Sequence, residues 1–259
     1  MSDYRTIVVG DIHGCLAELH TLLKKCNYDP KHDRLLCLGD LIDRGPDVRD
    51  VLDFVMNVEE QQESSATIIG NHEMNALKAL EHKGPRAFCE RLGISDWDVT
   101  SKYAEWFKNM SFIEFGQLPN EKQIVYVHGG IHPDRNIGEQ RKGIAARIQL
   151  VNKKTREIAY IFDIKKQSFS EHRQNEEDWV FWGELYNRPQ VVVFGHTYFE
   201  SIPQGGDIYA LDGGACFGGE LRALIVPTME VVTVQSNVAV PGSDRAGRDY
   251  ALFRDCKFY

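Results

Sequence analysis

Short apolar runs alternate with helical stripes along the first third of the chain. Thr6 to Val9 reads as a buried strand, and Leu16, Leu19, Leu22, Leu23 and Cys26 follow on one helix face. Leu35 to Leu38 predicts a second strand, Val48, Val51, Leu52, Val55 and Met56 a second helix, and Thr67 to Ile69 a third strand. A βαβαβ order predicts a parallel sheet with right-handed crossovers, so the fold class is α/β. From Met74 to Met110 the pattern is helical: Glu73 to His82, roughly Pro85 to Leu92, and Val99 to Met110. Gly84 and Gly93 read as breaks, and Pro85 suits a first helical turn. The block 74–110 is expected to form a small helical cap.

Further on, Phe112 to Phe115 and Gln123 to Val127 predict strands, and the basic stretch Asn136 to Lys154 a weakly amphipathic helix. Asp163 to Asp178 reads as an exposed loop. Val191 to Phe194, Ile208 to Leu211, Leu221 to Val226 and Glu230 to Val234 read as strands of a second sheet. From Ser236 on, Gly, Pro and Asp suggest a surface tail, about 236–259. No repeat or linker divides the sequence, so residues 1–259 are expected to form a single domain, and that length can bury a sizeable core.

The polar residues that end these runs carry the chemistry. Gly10-Asp11-Ile12-His13-Gly14, Gly39-Asp40-Leu41-Ile42-Asp43-Arg44-Gly45 and Gly70-Asn71-His72-Glu73 each follow a predicted strand. His128-Gly129-Gly130, Gly195-His196-Thr197 and Leu211-Asp212-Gly213-Gly214 follow three more. Open α/β sheets bind ligands where strands end. Asp11 and His13 can converge on one ion, a carboxylate at Asp40 can bridge two, Asn71 offers a neutral oxygen, and His128 and His196 can close the second shell. Mixed oxygen and imidazole donors suit two divalent metal ions, with Mn²⁺ the first choice and Fe or Zn as alternatives. A hydroxide shared by two such ions is a strong nucleophile near neutral pH. Arg44 can clamp a phosphate through its guanidinium fork. His72 can protonate a leaving oxygen, with Asp43 holding its other nitrogen.

GDIHG, GDLIDRG and GNHE, followed by HGG and GHT, resemble the signatures of the phosphoprotein phosphatase (PPP) family of calcineurin-like metallophosphoesterases. The resemblance spans about residues 5–235. It implies an αββα sandwich of two mixed β-sheets flanked by helices. It places Asp11, His13 and Asp40 on one metal, and Asp40, Asn71, His128 and His196 on the other. His72 would be the acid, Asp43 its partner and Arg44 the phosphate clamp. The family's second phosphate-binding arginine has three candidates, Arg135, Arg141 and Arg147. HGGIHP, FGHT and LDGGACFGGEL are similar to bacterial symmetrical bis(5'-nucleosyl)-tetraphosphatases and to related bacterial protein phosphatases. Asp43 follows the protein-phosphatase pattern, and the glycine-rich segment after Asp212 follows the other.

The first expectation is therefore a serine/threonine protein phosphatase attacking a phosphate monoester in line. The alternative is a symmetrical dinucleoside tetraphosphate (Ap4A) hydrolase giving two nucleoside diphosphates, and the third a non-catalytic phosphate-binding module. A net charge of −8 argues against nucleic acid as a partner, leaving a phosphorylated protein or small phosphate ester. No apolar stretch approaches a membrane span, and Thr6 begins a strand too early for a signal peptide. The six cysteines form no CxxC pair and read as free thiols in a reducing, cytoplasmic compartment. His20, His32, His82, His132 and His172 fit no motif and read as surface or core residues, although His132 is near enough to His128 to line the cleft. Trp179, Trp182 and Tyr186 read as core, with a nucleobase platform as the sharper alternative. Trp97, Trp106 and Phe107 read as the core of the cap, and Lys153 to Arg156 as a solvated face or a steering patch for an anion.

Overall fold

Within strand β1 (Arg5–Val9), Ile7 and Val9 enter one hydrophobic core while Val8 enters another. That alternation makes β1 the middle of a layered structure, because successive side chains of a strand face opposite ways. The computed structural model describes residues 5–159, 178–202 and 206–238. β1 pairs in parallel with β2 (Asp33–Cys37), which pairs in parallel with β3 (Ala66–Thr67). The helices α1 (Leu16–Lys25) and α2 (Val48–Gln61) connect them, as the periodicity predicts.

α3 (Asn71–Lys83), α4 (Pro85–Leu92) and α5 (Trp97–Asn109) follow. They do not form a separate core. Phe88, Tyr103 and Phe107 pack in one cluster with Leu19, Leu22 and Val51 of the first two helices. Polar contacts reinforce the join: Lys102 and Tyr103 reach Asp53, and the Trp106 indole N–H donates to Glu59 at 2.8 Å.

The second sheet holds β4 (Ile113–Gln117), β5 (Gln123–Val127), β9 (Val191–Phe194) and β10 (Ile208–Ala210), in the order β10-β9-β5-β4. Ile124, Tyr126, Val191 and Val193 face Val8, Leu36 and Leu38 of the first sheet, so a dry layer separates the two sheets. The fold is an α/β sandwich of mixed sheets.

The strands β12 (Glu220–Val226) and β13 (Glu230–Gln235) depart from expectation. They belong to the first sheet: β12 pairs antiparallel with β1, β13 extends the edge, and β11 (Asp212–Gly213) pairs with the other side of β12. The helix predicted over Asn136 to Lys154 is also absent. A 3₁₀ turn at Ile137–Glu139, the one-turn helix α6 (Lys142–Ala145) and the strand β6 (Leu150–Asn152) take its place. β6 pairs with β7 (Ile158–Ala159) and β8 (Trp179–Phe181) in a small third sheet that covers the outer face of the second. Ser236, expected in a surface tail, is buried, and its hydroxyl donates to Glu18 at 3.1 Å. The tail from residue 239 on, the predicted loop up to residue 177, His172 and Cys256 lie outside the described residues. The remaining five cysteines are buried free thiols, and no described helix is long and apolar enough to cross a membrane.

Candidate dimetal active site

The carboxyl ends of the two sheets meet at one cleft. Asp11 and His13 follow β1, Asp40 to Arg44 follow β2, Asn71 and His72 open α3, His128 follows β5 and His196 follows β9. His13, Asp40, Asp43, Arg44 and His196 all have positive φ, between 46° and 73°. Such backbone is costly for non-glycine residues and persists only where the surroundings impose it. Gly70 shows the crowding, because a Cβ there would lie 2.2 Å from a carboxylate oxygen of Asp40.

Asp40 stands at the centre. The His13 Nε2 is 3.5 Å from its Oδ2, and the His128 Nε2 is 3.4 Å from its Oδ1. Two groups of donors share it: His13, Asp40 and His72 converge within 4.8 Å, as do Asp40, His128 and His196. The Asn71 side-chain oxygen, Oδ1, lies 3.0 Å from the His128 Nε2. Asp11 sits behind, with Oδ2 4.0 Å from the His13 Nε2 and Oδ1 accepting the His196 backbone N–H at 2.9 Å. All six expected ligands thus lie in one cluster. His72, expected as the acid, stands within reach of the first group.

The tautomers fit metal binding. The His13 Nδ1–H donates to the Ile42 carbonyl at 2.6 Å, and the His128 Nδ1–H to the Leu38 carbonyl at 2.7 Å. Each bond leaves the Nε2 lone pair facing Asp40, the usual orientation of a ligating imidazole. A ring N–H of His196 likewise donates to the Arg147 carbonyl. The electrostatics agree. Burial, and then the charge of Asp212, push the Asp11 carboxyl well above its usual range. Burial pushes Asp40 the same way, but His128, His72 and His13 hold it well below the usual carboxylate range. Burial opposes charge on His128, yet Asp40 and Asp11 push it up to about 10. Burial, and then His128, bring His196 down to about 3. Divalent cations resolve this conflict by favouring ionised carboxylates and neutral imidazoles together.

The remaining expected groups line the mouth. The His72 Nδ1–H donates to Asp43, and its Nε2 accepts from Arg44 at 3.2 Å. Arg44 also donates to the His13 Nε2 at 2.7 Å, and its guanidinium lies 4.9 Å from the centre of the Phe217 ring. Of the three arginine candidates, Arg147 alone reaches the cluster: it donates to the Asn75 side chain at 2.7 Å and to the Asn71 carbonyl at 3.4 Å.

Three residues have a place here to which the sequence assigned no role, although Asp212 and Glu73 stand inside its motifs. Glu73 is fully buried, and its carboxylate accepts the backbone N–H groups of Asp40, Leu41 and Gly70 at 2.8–3.0 Å. It fastens the second motif to the third; its place inside GNHE is the signal that could have found it. Arg91 of α4 donates to the same Asp43 oxygen that His72 uses. Nothing in the sequence connects Arg91 to that loop. Asp212 is buried near Asp11 and Arg44, and its Oδ1 accepts the Gly214 N–H at 2.9 Å.

The family model for calcineurin-like phosphoesterases matches residues 4–220. The symmetrical bis(5'-nucleosyl)-tetraphosphatase of Proteus mirabilis (strain HI4320) is 26% identical, over 85% of this chain and 93% of the relative. The asymmetrical bis(5'-nucleosyl)-tetraphosphatase PrpE of Bacillus thuringiensis (strain Al Hakam) is 27% identical, over 89% and 94%. A crystal structure of a candidate diadenosine tetraphosphatase superposes with a TM-score of 0.71 at 23% identity, covering 90% of this chain and 94% of that one. A protein serine/threonine phosphatase from Saccharomyces cerevisiae gives 0.59 at 13% identity, covering 93% and 82%. These structural likenesses show a shared fold.

Proposed function

This chain belongs to the calcineurin-like phosphoesterase family and is a metal-dependent phosphohydrolase; we propose that its substrate is a dinucleoside tetraphosphate. The observation that carries this reading is the alignment with tetraphosphatases across nearly their whole length. The segment Leu211 to Leu221, LDGGACFGGEL, points the same way.

Asp11, His13 and Asp40 would hold one divalent ion, and Asp40, Asn71, His128 and His196 a second. Such ions supply Lewis acidity to the phosphoryl group and acidify water at neutral pH. The chain's own groups do the rest. Arg44 and Arg147, on two sides of the cluster, are suited to grip the non-bridging oxygens of the reacting phosphate and to stabilise the charge that builds there. Where a departing oxygen needs a proton, the His72 Nε2 is the atom that would supply it. The Asp43 bond at Nδ1 fixes the orientation of the ring. Glu73 keeps Asp40 in place through the backbone. The five buried thiols suit a reducing cytoplasm.

The His72–Asp43 pair favours a second reading, phosphoserine or phosphothreonine hydrolysis, which was the first expectation from sequence. A serine alkoxide needs a proton as it departs, whereas a nucleoside diphosphate leaves readily without one. The test is a comparison of kcat/KM for diadenosine tetraphosphate and a phosphoserine peptide with Mn²⁺-loaded protein, together with identification of the nucleotide products. The tetraphosphate should be the better substrate by at least ~100-fold, a difference of ~2.7 kcal/mol in barrier. Two ADP per turnover marks symmetrical cleavage; ATP with AMP marks the asymmetrical mode. A better turnover of the phosphopeptide would overturn the proposal.

A further inference from the structure

A cavity of about 580 Å³ lies beside the catalytic loops, between the stretch after His128, helix α6 and the small third sheet. Its size suits a drug-sized or nucleotide-sized ligand. His132, four residues beyond His128, lines it, so ~14 Å of chain at most separates it from a candidate metal ligand. Ile144 lines it from α6, and Arg147, three residues on, reaches Asn71 in the catalytic cluster. The cavity therefore lies one short loop from His128 and one helical turn from Arg147.

The lining has the chemistry of a nucleotide site. Trp179 and Ile158 offer an indole and an apolar surface. Trp179 is half-buried, unlike the other members of the aromatic trio. Trp182 is fully buried, donates to the Gly129 carbonyl at 3.2 Å and packs against Gly130, while Tyr186 is buried beside it. Those two are structural, and Trp179 alone of the three reaches the cavity. The two arginines of the lining differ. Arg156 pairs with Asp134 at 2.9 Å, whereas no carboxylate among the described residues pairs with Arg135. Glu157 lines the cavity as well, opposite in charge to the two arginines. A guanidinium that no described carboxylate pairs, beside an indole, suits a flat heterocycle that carries phosphate.

The wall is built and held. The His132 Nδ1 accepts the Asp134 N–H at 3.3 Å, and its other ring nitrogen donates to the Arg156 carbonyl. Its backbone N–H is held by Gln140 at 3.0 Å. His132 thus ties the β6–β7 turn to the loop that bears His128.

We propose that this cavity receives one nucleoside end of the substrate, with the Trp179 indole stacked on the base and Arg135 on a phosphate. The inference rests on the dinucleotide reading above and deepens it, since a dinucleoside tetraphosphate must place its nucleosides away from the bond that breaks.

The test is ADP binding by isothermal titration calorimetry to the Mn²⁺-loaded full chain, with Trp179→Ala, Trp179→Phe and Arg135→Gln. Base stacking on an aromatic side chain is worth ~5–150-fold in affinity. Trp179→Ala should weaken ADP binding within that range, Arg135→Gln should weaken it at least fivefold, and Trp179→Phe should restore most of the loss. The KM for diadenosine tetraphosphate should rise in parallel, with kcat little changed. Bound Mn²⁺ and the thermal midpoint report whether each variant folds. Wild-type protein that fails to bind ADP, or alanine and glutamine variants that bind it as wild type does, would overturn the proposal. So would a loss in Trp179→Ala that phenylalanine does not restore, because stacking needs only a ring. Sensitivity of ADP binding to Trp179 without cleavage of diadenosine tetraphosphate would uphold the cavity and sink the substrate reading. Cleavage with ADP binding indifferent to Trp179 and Arg135 would do the reverse.

Discussion

Replacing Glu73 with glutamine keeps the side chain's shape and removes its charge. In the native site one carboxylate oxygen accepts the N–H groups of Asp40 and Gly70 at 2.9 and 3.0 Å, and the other accepts that of Leu41 at 2.8 Å with Ile42 at 3.4 Å. An amide has one acceptor oxygen, so its NH₂ group must face backbone donors on one side. Two hydrogen bonds to a charged acceptor are lost, a gross cost of ~3–6 kcal/mol. Part returns because the buried charge is gone; burial and the charge of Asp40 already push Glu73 above its ordinary range. A net destabilisation of ~2–4 kcal/mol remains. Urea unfolding of the chelator-treated protein measures it without a contribution from bound ions. The melting temperature should fall by ~4–16 °C, at ~2–4 °C per kcal/mol for a chain near this size. Asp40 should lose its fixed position as well, and Mn²⁺ affinity should drop ~10–100-fold, as it does when supports of ligands are removed. Stability within ~0.5 kcal/mol of wild type, together with unchanged metal affinity, would refute the idea that Glu73 fastens the two motifs.

His72→Asn should slow a phosphoserine peptide ~10²–10⁴-fold and p-nitrophenyl phosphate clearly less, with metal content followed in parallel; equal losses on both substrates would show that His72 is not the acid. Gly130→Ala should cost ~1–3 kcal/mol in urea unfolding, because its Cβ would lie 2.3 Å from the Trp182 ring at a φ of 143°; an unperturbed midpoint would mean that the ring yields freely. Burial works against the charge of Asp33, but the Arg5 guanidinium at 2.6–2.9 Å and the Asp29 N–H hold its carboxyl below the usual range. A carboxyl depressed on folding stabilises above its unfolded value of about 3.9 and loses that contribution as the pH falls through the folded value. Asp33→Asn should therefore flatten the acid limb of the stability curve below about pH 4, and an identical limb would rule out the pair as its source.

The site is legible in the sequence because its ligands sit directly after the strands that carry them. Asp11, Asp40 and Asn71 need only the strand ends, and apolar runs mark those well. His128 and His196 need the second sheet, whose β5 and β9 are also plain runs. Side chains that arrive from a distance leave no such mark. Arg91 meets Asp43 across 48 positions on a helix whose local pattern reports only its buried face. The sheet that β12 joins is fixed by pairing with β1, a contact between the two ends of the described chain. The helix expected over 136–154 fails for a local reason. The carbonyl of Ala145 is taken by the N–H groups of Gly129 and Gly130, and Leu150 to Asn152 pairs with two strands instead. Trp179 and Trp182 look alike in sequence; only the packing of Trp182 under Gly130 separates the core residue from the cavity residue.

The central claim is that two ions, bridged by Asp40, make this cleft a phosphohydrolase. Its most direct test is a titration of Mn²⁺ into chelator-treated protein, following bound metal by inductively coupled plasma mass spectrometry and hydrolysis of p-nitrophenyl phosphate in the same samples. Turnover should be absent without metal, should rise with the second bound ion, and should stay near background at every ion ratio in Asp40→Asn. Full turnover by the metal-free protein, or by Asp40→Asn, would contradict the account.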